Sequence, residues 1–152
     1  MDKKSILSLN SVYLVQTETT VGFLSQDSSK LAKIKNRPQN KPFLISVDSF
    51  KWLKKFSRAP NRFKKFIRRS KKTTFIYPNN RAIRVVKDKR HTLFLNRFGW
   101  IYSTSANRSN QKFEKEFATK SVDIIVEDNR GFFEGTPSKI FKLKKNRIKR
   151  VR

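Results

Sequence analysis

Cysteine is absent from this chain. That removes a disulfide framework, a thiolate metal site and a cysteine nucleophile at one stroke, and it fits a reducing compartment, so the cytoplasm is the expected location. Histidine occurs once, as His91, beside Lys87, Lys89 and Arg90. A His-built metal centre and a Ser-His-Asp triad therefore lack their parts, and His91 reads as a surface or helix-start residue. Only four glycines exist, Gly22, Gly99, Gly131 and Gly135, and none stands in a Walker or dinucleotide-binding pattern. A nucleotide bound here would depend on side-chain ligands. Long apolar runs are missing too: Met1 to Leu9 carries two lysines and no apolar stretch of signal-peptide length, so neither secretion nor membrane insertion is expected.

Acidic residues are scarce, 11 against 37 Lys and Arg, for a net charge of +26. Such an excess opposes compaction unless a polyanion or solvent relieves it. Two readings stay open, a surface made for nucleic acid and the coding bias of an AT-rich genome towards Lys, Asn, Ile and Phe. A disordered basic tail is a poor description, because the charge runs along the chain and 36% of residues are hydrophobic, with 14 Phe among them. The 152 residues fit one domain, 1-152, with a basic tail at 144-152 free to move.

The patterning predicts an α/β chain of strands and short amphipathic helices in mixed order. Ser11 to Val15 reads as a strand feeding a loop, which holds the polar turn Gln16 to Thr20 and then Val21 to Leu24. Ser25 to Lys35 reads as a helix opened by capping residues and ended before Pro38. A strand at Phe43 to Val47 leads into a helix marked by Phe50, Leu53 and Phe56, and Pro60 to Arg69 repeats the helical spacing. Strands at Thr73 to Tyr77 and Ala82 to Val86 flank the turn Pro78-Asn79-Asn80. A helix around Thr92 to Phe98, a strand at Trp100 to Ser103, a helix near Gln111 to Phe117 and strands at Val122 to Val126 and Lys139 to Leu143 complete the expectation.

Two segments carry chemistry. Lys35-Asn36-Arg37-Pro38, followed by Lys41-Pro42, leaves two cations on a restrained loop just before a strand, a geometry able to clamp phosphate oxygens. Ser103-Thr104-Ser105-Ala106-Asn107-Arg108-Ser109 sets hydroxyl and amide groups at the end of an apolar strand, the usual place for ligands in α/β sheets. Alone, K-x-R carries almost no weight in a chain this rich in lysine and reads as a solvated basic turn, and the second segment reads equally well as a polar turn capping the next helix.

Together, K-x-R-P-x-x-K-P at 35 to 42 and S-T-S-A-N-x-S at 103 to 109 resemble the YrdC/TsaC family of threonylcarbamoyl-adenylate synthases. Gln16-Thr17-Glu18-Thr19 resembles the family's P-T-E-T loop, Ala82-Ile83-Arg84-Val85 its I-R-V strand, and Thr136-Pro137-Ser138-Lys139-Ile140 its closing P-S-T-I segment. The resemblance implies a single-domain twisted mixed sheet flanked by helices, with a basic cavity. It also implies an enzyme joining L-threonine, bicarbonate and ATP into threonylcarbamoyl-AMP with release of pyrophosphate, for tRNA threonylcarbamoyladenosine modification. On that basis Lys35, Arg37, Ser105 and Asn107 form the catalytic tetrad, Ser103 and Thr104 join Lys35 and Arg37 around the nucleotide, and Thr17, Arg84 and Ser138 hold threonine. Mg2+ would travel with the ATP phosphates. Partners implied are tRNA or double-stranded RNA and the downstream threonylcarbamoyl-transfer proteins; a non-catalytic RNA-binding relative is the alternative. The chain departs from the pattern at Gln16 (proline expected), Val21 (tyrosine), Ser70 to Lys72 (P-G-P), Asn110 (glycine) and Lys139 (threonine).

Overall fold

The computed structural model describes residues 10–152, so Met1 to Leu9, read above for the lack of a signal peptide, lie outside the described residues. The chain gathers into two compact units, one made of the segment ending at Phe43 together with Tyr102–Gly135, the other of Leu44–Ile101 and Thr136–Arg152.

In the first unit, β1 (Tyr13–Gln16) and β2 (Val21–Ser25) form an antiparallel hairpin with Gln16 opposite Val21. Strand β7 (Ile124–Val126) lies parallel to β1, and residues 102–105 of β6 (Trp100–Ser105) run antiparallel to β2, with Ser105 opposite Gly22. Helix α1 (Ser28–Lys35) starts where Asp27 Oδ1 accepts from the Ser29 and Lys30 amides, at 3.0 and 3.4 Å. It stops at Asn36, whose φ of 50° is left-handed backbone that asparagine tolerates better than most residues. Leu31 and Ala32 turn inward on Val12, Leu14, Val21 and Phe23. Helix α5 (Lys115–Ser121) adds Ala118 to this core, and its Phe117 meets Phe23 edge to face.

The second unit is built on five strands that pair in sequence across the sheet. Strand β3 (Leu44–Val47) is parallel to β5 (Ala82–Val85), and β5 is antiparallel to β4 (Thr73–Ile76). Strand β4 is parallel to β8 (Lys139–Leu143), which pairs antiparallel with β9 (Ile148–Arg150). Helix α2 (Phe50–Phe56) is capped by Ser49, a 3-10 turn at Asn61–Phe63 runs into α3 (Lys64–Arg69), and α4 (Lys89–Leu95) is capped by Asp88. Phe66 packs edge to face on both Phe75 and Phe141, tying α3 to the sheet.

The mixed α/β sheet expected from the sequence is therefore what the chain forms, with five α-helices among the described residues. Several boundaries differ. Strand β6 continues to Ser105, because alternate residues face the β2 ladder rather than breaking into a turn at Ser103. Helix α4 begins at Lys89, ahead of Thr92, since the Asp88 carboxylate accepts from the His91 amide and nucleates the first turn early. His91 is thus a helix-start residue, as one of the two readings had it, but not a surface one: it is 1% exposed and stacked beside Phe94. Helix α5 starts at Lys115, beyond Gln111, whose amide closes a turn onto the Arg108 carbonyl. Within the basic stretch 144-152, residues Ile148–Arg150 form β9.

Candidate functional site

Lys35 ends α1, so its side chain leaves the helix towards β6 rather than into solvent. It is only 6% exposed. Its Nζ donates to the Ser105 carbonyl (3.0 Å), the Asn107 carbonyl (2.6 Å) and Asn107 Oδ1 (2.8 Å). An ammonium has three N–H groups, and three acceptors meet them. Asn107 Oδ1 also accepts from Ser105 Oγ at 2.6 Å, and Asn107 Nδ2 donates to the Gln111 carbonyl. The loop is tied back once more by Ser109 Oγ, which donates to the Lys35 carbonyl at 2.7 Å. Two segments about seventy residues apart thus close into one knot with Lys35 at its centre.

Burial, with the Arg37 charge adding to it, lowers Lys35 from its ordinary 10.5 to about 8. Arg37 projects beyond the left-handed Asn36, its guanidinium 4.3 Å from the Phe43 ring centroid and donating to the Pro42 carbonyl at 3.0 Å. Burial lowers its pKa as well. The structure therefore joins Lys35, Ser105 and Asn107 directly, while Arg37 acts on Lys35 through its field. Ser103 and Thr104 stand on β6 opposite Leu24 and Phe23, Ser103 buried and Thr104 half-buried. Asn110, where the family pattern has glycine, adopts φ 63°, so the left-handed turn is kept without glycine.

Thr17 opens the β1–β2 turn, and the turn itself engages its hydroxyl: Oγ1 donates to the Thr20 carbonyl at 2.6 Å and accepts from the Thr19 and Thr20 amides, each at 3.2 Å. Gln16, in place of the expected proline, accepts from the Phe133 amide through Oε1 at 2.9 Å, and the Val21 amide donates to the Phe133 carbonyl at 3.1 Å. These bonds strap residues 128–135 over the turn.

Arg84 and Ser138 belong to the second unit. Arg84 is 4% exposed and sits opposite Ser46 in the β3–β5 ladder. Ser138 Oγ lies 3.0 Å from Thr74 Oγ1 and accepts from Arg152 Nη2 at 3.3 Å, while Arg152 Nε donates to the Ser138 carbonyl. Among the described residues no three His, Asp or Glu side chains gather into a metal-binding group, and no helix is long and apolar enough to cross a membrane.

Motif reading singled out the tetrad but missed its supports. Ser109 was visible as the last residue of the polar segment, yet nothing in the sequence aims it at the Lys35 carbonyl. Phe43, the platform for Arg37, looks like an ordinary strand residue.

The family model for Sua5, YciO and YrdC, described as "Telomere recombination", matches residues 5–152. A Mycoplasma genitalium protein, "Uncharacterized protein MG259", is 34% identical over 109 residues, which is 72% of this chain and 23% of that protein. The P. abyssi Sua5 structure complexed with L-threonine superposes with a TM-score of 0.75 at 17% identity, over 93% of this chain and 50% of that one. E. coli YciO superposes with a TM-score of 0.78 at 17% identity, over 98% of this chain and 85% of that one. The chain thus spans about a quarter of the curated relative and half of the Sua5 chain.

Proposed function

The chain belongs to the Sua5/YciO/YrdC family, and from that membership we propose that it is a cytoplasmic L-threonylcarbamoyladenylate synthase. It would make threonylcarbamoyl-AMP from L-threonine, bicarbonate and ATP, release pyrophosphate, and supply tRNA threonylcarbamoyladenosine modification. The observation that carries this reading is the Lys35–Ser105–Asn107 knot, which unites the two motifs of the resemblance around one buried ammonium.

In this reaction the threonine amine and bicarbonate form a carbamate with loss of water, a carbamate oxygen attacks the α-phosphorus of ATP, the bond from that phosphorus to the α,β-bridging oxygen breaks, and pyrophosphate leaves with the electron pair. Negative charge on the phosphorus oxygens grows along the way. Fixed cations and donors stabilise it without reorganising, so Lys35 and Arg37 supply the field, and Ser105, Ser103 and Thr104 supply hydroxyl donors. The Asn107 amide positions Lys35. Thr17, Arg84 and Ser138 are assigned to threonine, with the Arg84 guanidinium suited to its carboxylate. Mg2+ comes with ATP. tRNA, or double-stranded RNA, and the proteins that transfer the threonylcarbamoyl group are the proposed macromolecular partners. That a solved relative is a complex with L-threonine supports the choice of amino acid.

A second reading, an RNA-binding relative without synthase activity, is favoured by one observation: all three Lys35 N–H groups already have acceptors in the chain itself. Pyrophosphate release separates the two. Purified protein given ATP, L-threonine, bicarbonate and Mg2+ should release pyrophosphate only when threonine is present. No threonine-dependent release, with RNA binding retained, would establish the second reading instead.

A further inference from the structure

The two units divide the charge unequally. The second holds 25 of the 37 Lys and Arg but only two of the 11 acids, for a net +23, and the first holds the remaining +3. Coding bias acts on both units alike and does not produce this division. The two acids of the second unit are already engaged: Asp88 caps α4, and Asp48 Oδ2 accepts from the Asn96 amide at 3.1 Å when that amide is oriented to donate. From Ser49 to Lys87 there are 14 cations and no acid at all.

Within that stretch, α2 and α3 border a cleft of about 550 Å³. Phe50, Leu53 and Ile67 give it an apolar floor, with Leu53 and Ile67 buried. Lys54, Arg58, Lys64 and Arg68 stand around it, all exposed. The volume falls within the range of small-ligand pockets, large enough for a nucleotide. A mainly apolar floor, whose one hydroxyl, Ser57, is already bonded to Asn79, beneath a rim of cations asks for a ligand that is apolar and planar on one side and anionic along its flanks.

We propose that the α2–α3 cleft is a docking site for a single-stranded polynucleotide, with one base on the apolar floor and the flanking phosphates on the cationic rim. Duplex RNA offers phosphates and a shallow groove but keeps its base faces stacked, so it leaves the floor uncovered. A single strand covers both. An acidic protein segment would match the rim, but the cations extend over the rest of the unit, including eight in Lys139–Arg152, which suits a polymer that continues past the cleft. The site lies in the second unit and does not rest on the synthase reading, whose tetrad lies in the first.

The test is fluorescence anisotropy with labelled oligouridylate of about ten nucleotides, a length within the usual single-strand site size. An RNA duplex of equal length and polyglutamate serve as competitors. Lys64→Glu/Arg68→Glu should weaken oligouridylate binding at least about tenfold, and Lys144→Glu/Lys145→Glu, the same charge change outside the cleft lining, about twofold. Phe50→Leu removes the aromatic face without touching charge, and should weaken binding about fivefold with an unchanged salt slope. Circular dichroism checks that each variant is folded. Equal losses from the two charge reversals would overturn the proposal, since they mean a diffuse field and no site. So would a duplex, or polyglutamate, that competes as well as oligouridylate. Loss of pyrophosphate release in the wild-type protein would sink only the synthase reading, and leave this binding test standing.

Discussion

The two units are nearly equal in length yet differ by a net charge of twenty, +3 against +23. In the first, acids nearly balance the cations, and one cation is enclosed: Lys35 is buried among acceptors, with the half-buried Arg37 beside it on an aromatic ring. In the second, most cations are exposed and outnumber any acid that could pair with them. A buried, geometrically fixed charge serves chemistry at one point, because little solvent screens it. A solvated, repeated charge serves attraction to an extended polyanion, and is screened by salt. The difference indicates that net charge is not one property of this chain but two.

The widest separation between the units should come from Lys35→Ala. Removing an electrostatic stabiliser of the reacting phosphate is expected to lower threonine-dependent pyrophosphate release at least about 100-fold. Oligouridylate affinity, which belongs to the other unit, should stay within about twofold. Kinetics and anisotropy on one preparation measure both, and a parallel fall in both would erase the distinction drawn here.

Next come two glycines, one in each unit. At Gly99 the backbone has φ 80°, and a Cβ would lie 2.2 Å from the Trp52 indole; at Gly135 a Cβ would lie 1.7 Å from the Thr19 carbonyl oxygen. Backbone strain and overpacking make Gly99→Ala lose about 3 kcal/mol, and the clash at Gly135→Ala lifts the strap off the Thr17 turn at a similar cost. Thermal unfolding should show a midpoint lower by roughly 6 to 12 °C in each. Gly135→Ala should raise the KM for threonine, and Gly99→Ala should leave it unchanged.

A smaller effect is expected from Ser109→Ala. It deletes one hydrogen bond, to the Lys35 carbonyl, worth about 1 kcal/mol. Chemical denaturation should detect that loss, with a drop in turnover of several-fold if the knot orients Lys35. Unchanged turnover would mean that Asn107 alone holds it.

How far the sequence revealed this arrangement depends on the distance over which each signal acts. Helix α1 and the β-rich segments were readable because capping at Asp27 and the short β-favouring runs of β3 and β5 are local. Helix α4 starts earlier than the apolar spacing suggests because the Asp88 cap outweighs that spacing, and His91, a helix-start residue as expected, is buried rather than on the surface. The basic residues looked evenly spread along the chain because 51–97 and 139–152 are separated by the nearly balanced stretch 102–135. Only folding puts the two basic stretches in one unit. The tetrad was found through its motifs, whereas the acceptors around Lys35 include two backbone carbonyls, which carry no side-chain signature.

The most specific effect concerns pH. Lys35 titrates at about 8 in the folded chain against 10.5 for an ordinary lysine, because burial and then Arg37 disfavour its charge. Below about 8 the ammonium is intact, so ATP affinity should be highest there and fall as pH rises through that value. Stability should move the other way. Between about 8 and 10.5 the unfolded chain keeps a proton on Lys35 that the folded chain has released, so the unfolded state binds more protons and stability rises with pH across this window. Lys35→Met, which cannot titrate, should flatten both limbs, while no variant in the second unit should flatten either. Isothermal titration of ATP and denaturant unfolding at a series of pH values read the two limbs separately. If the ATP limb survived in Lys35→Met, the charge controlling nucleotide affinity would lie elsewhere, and the contrast between one enclosed cation and many exposed ones would lose its chemical half.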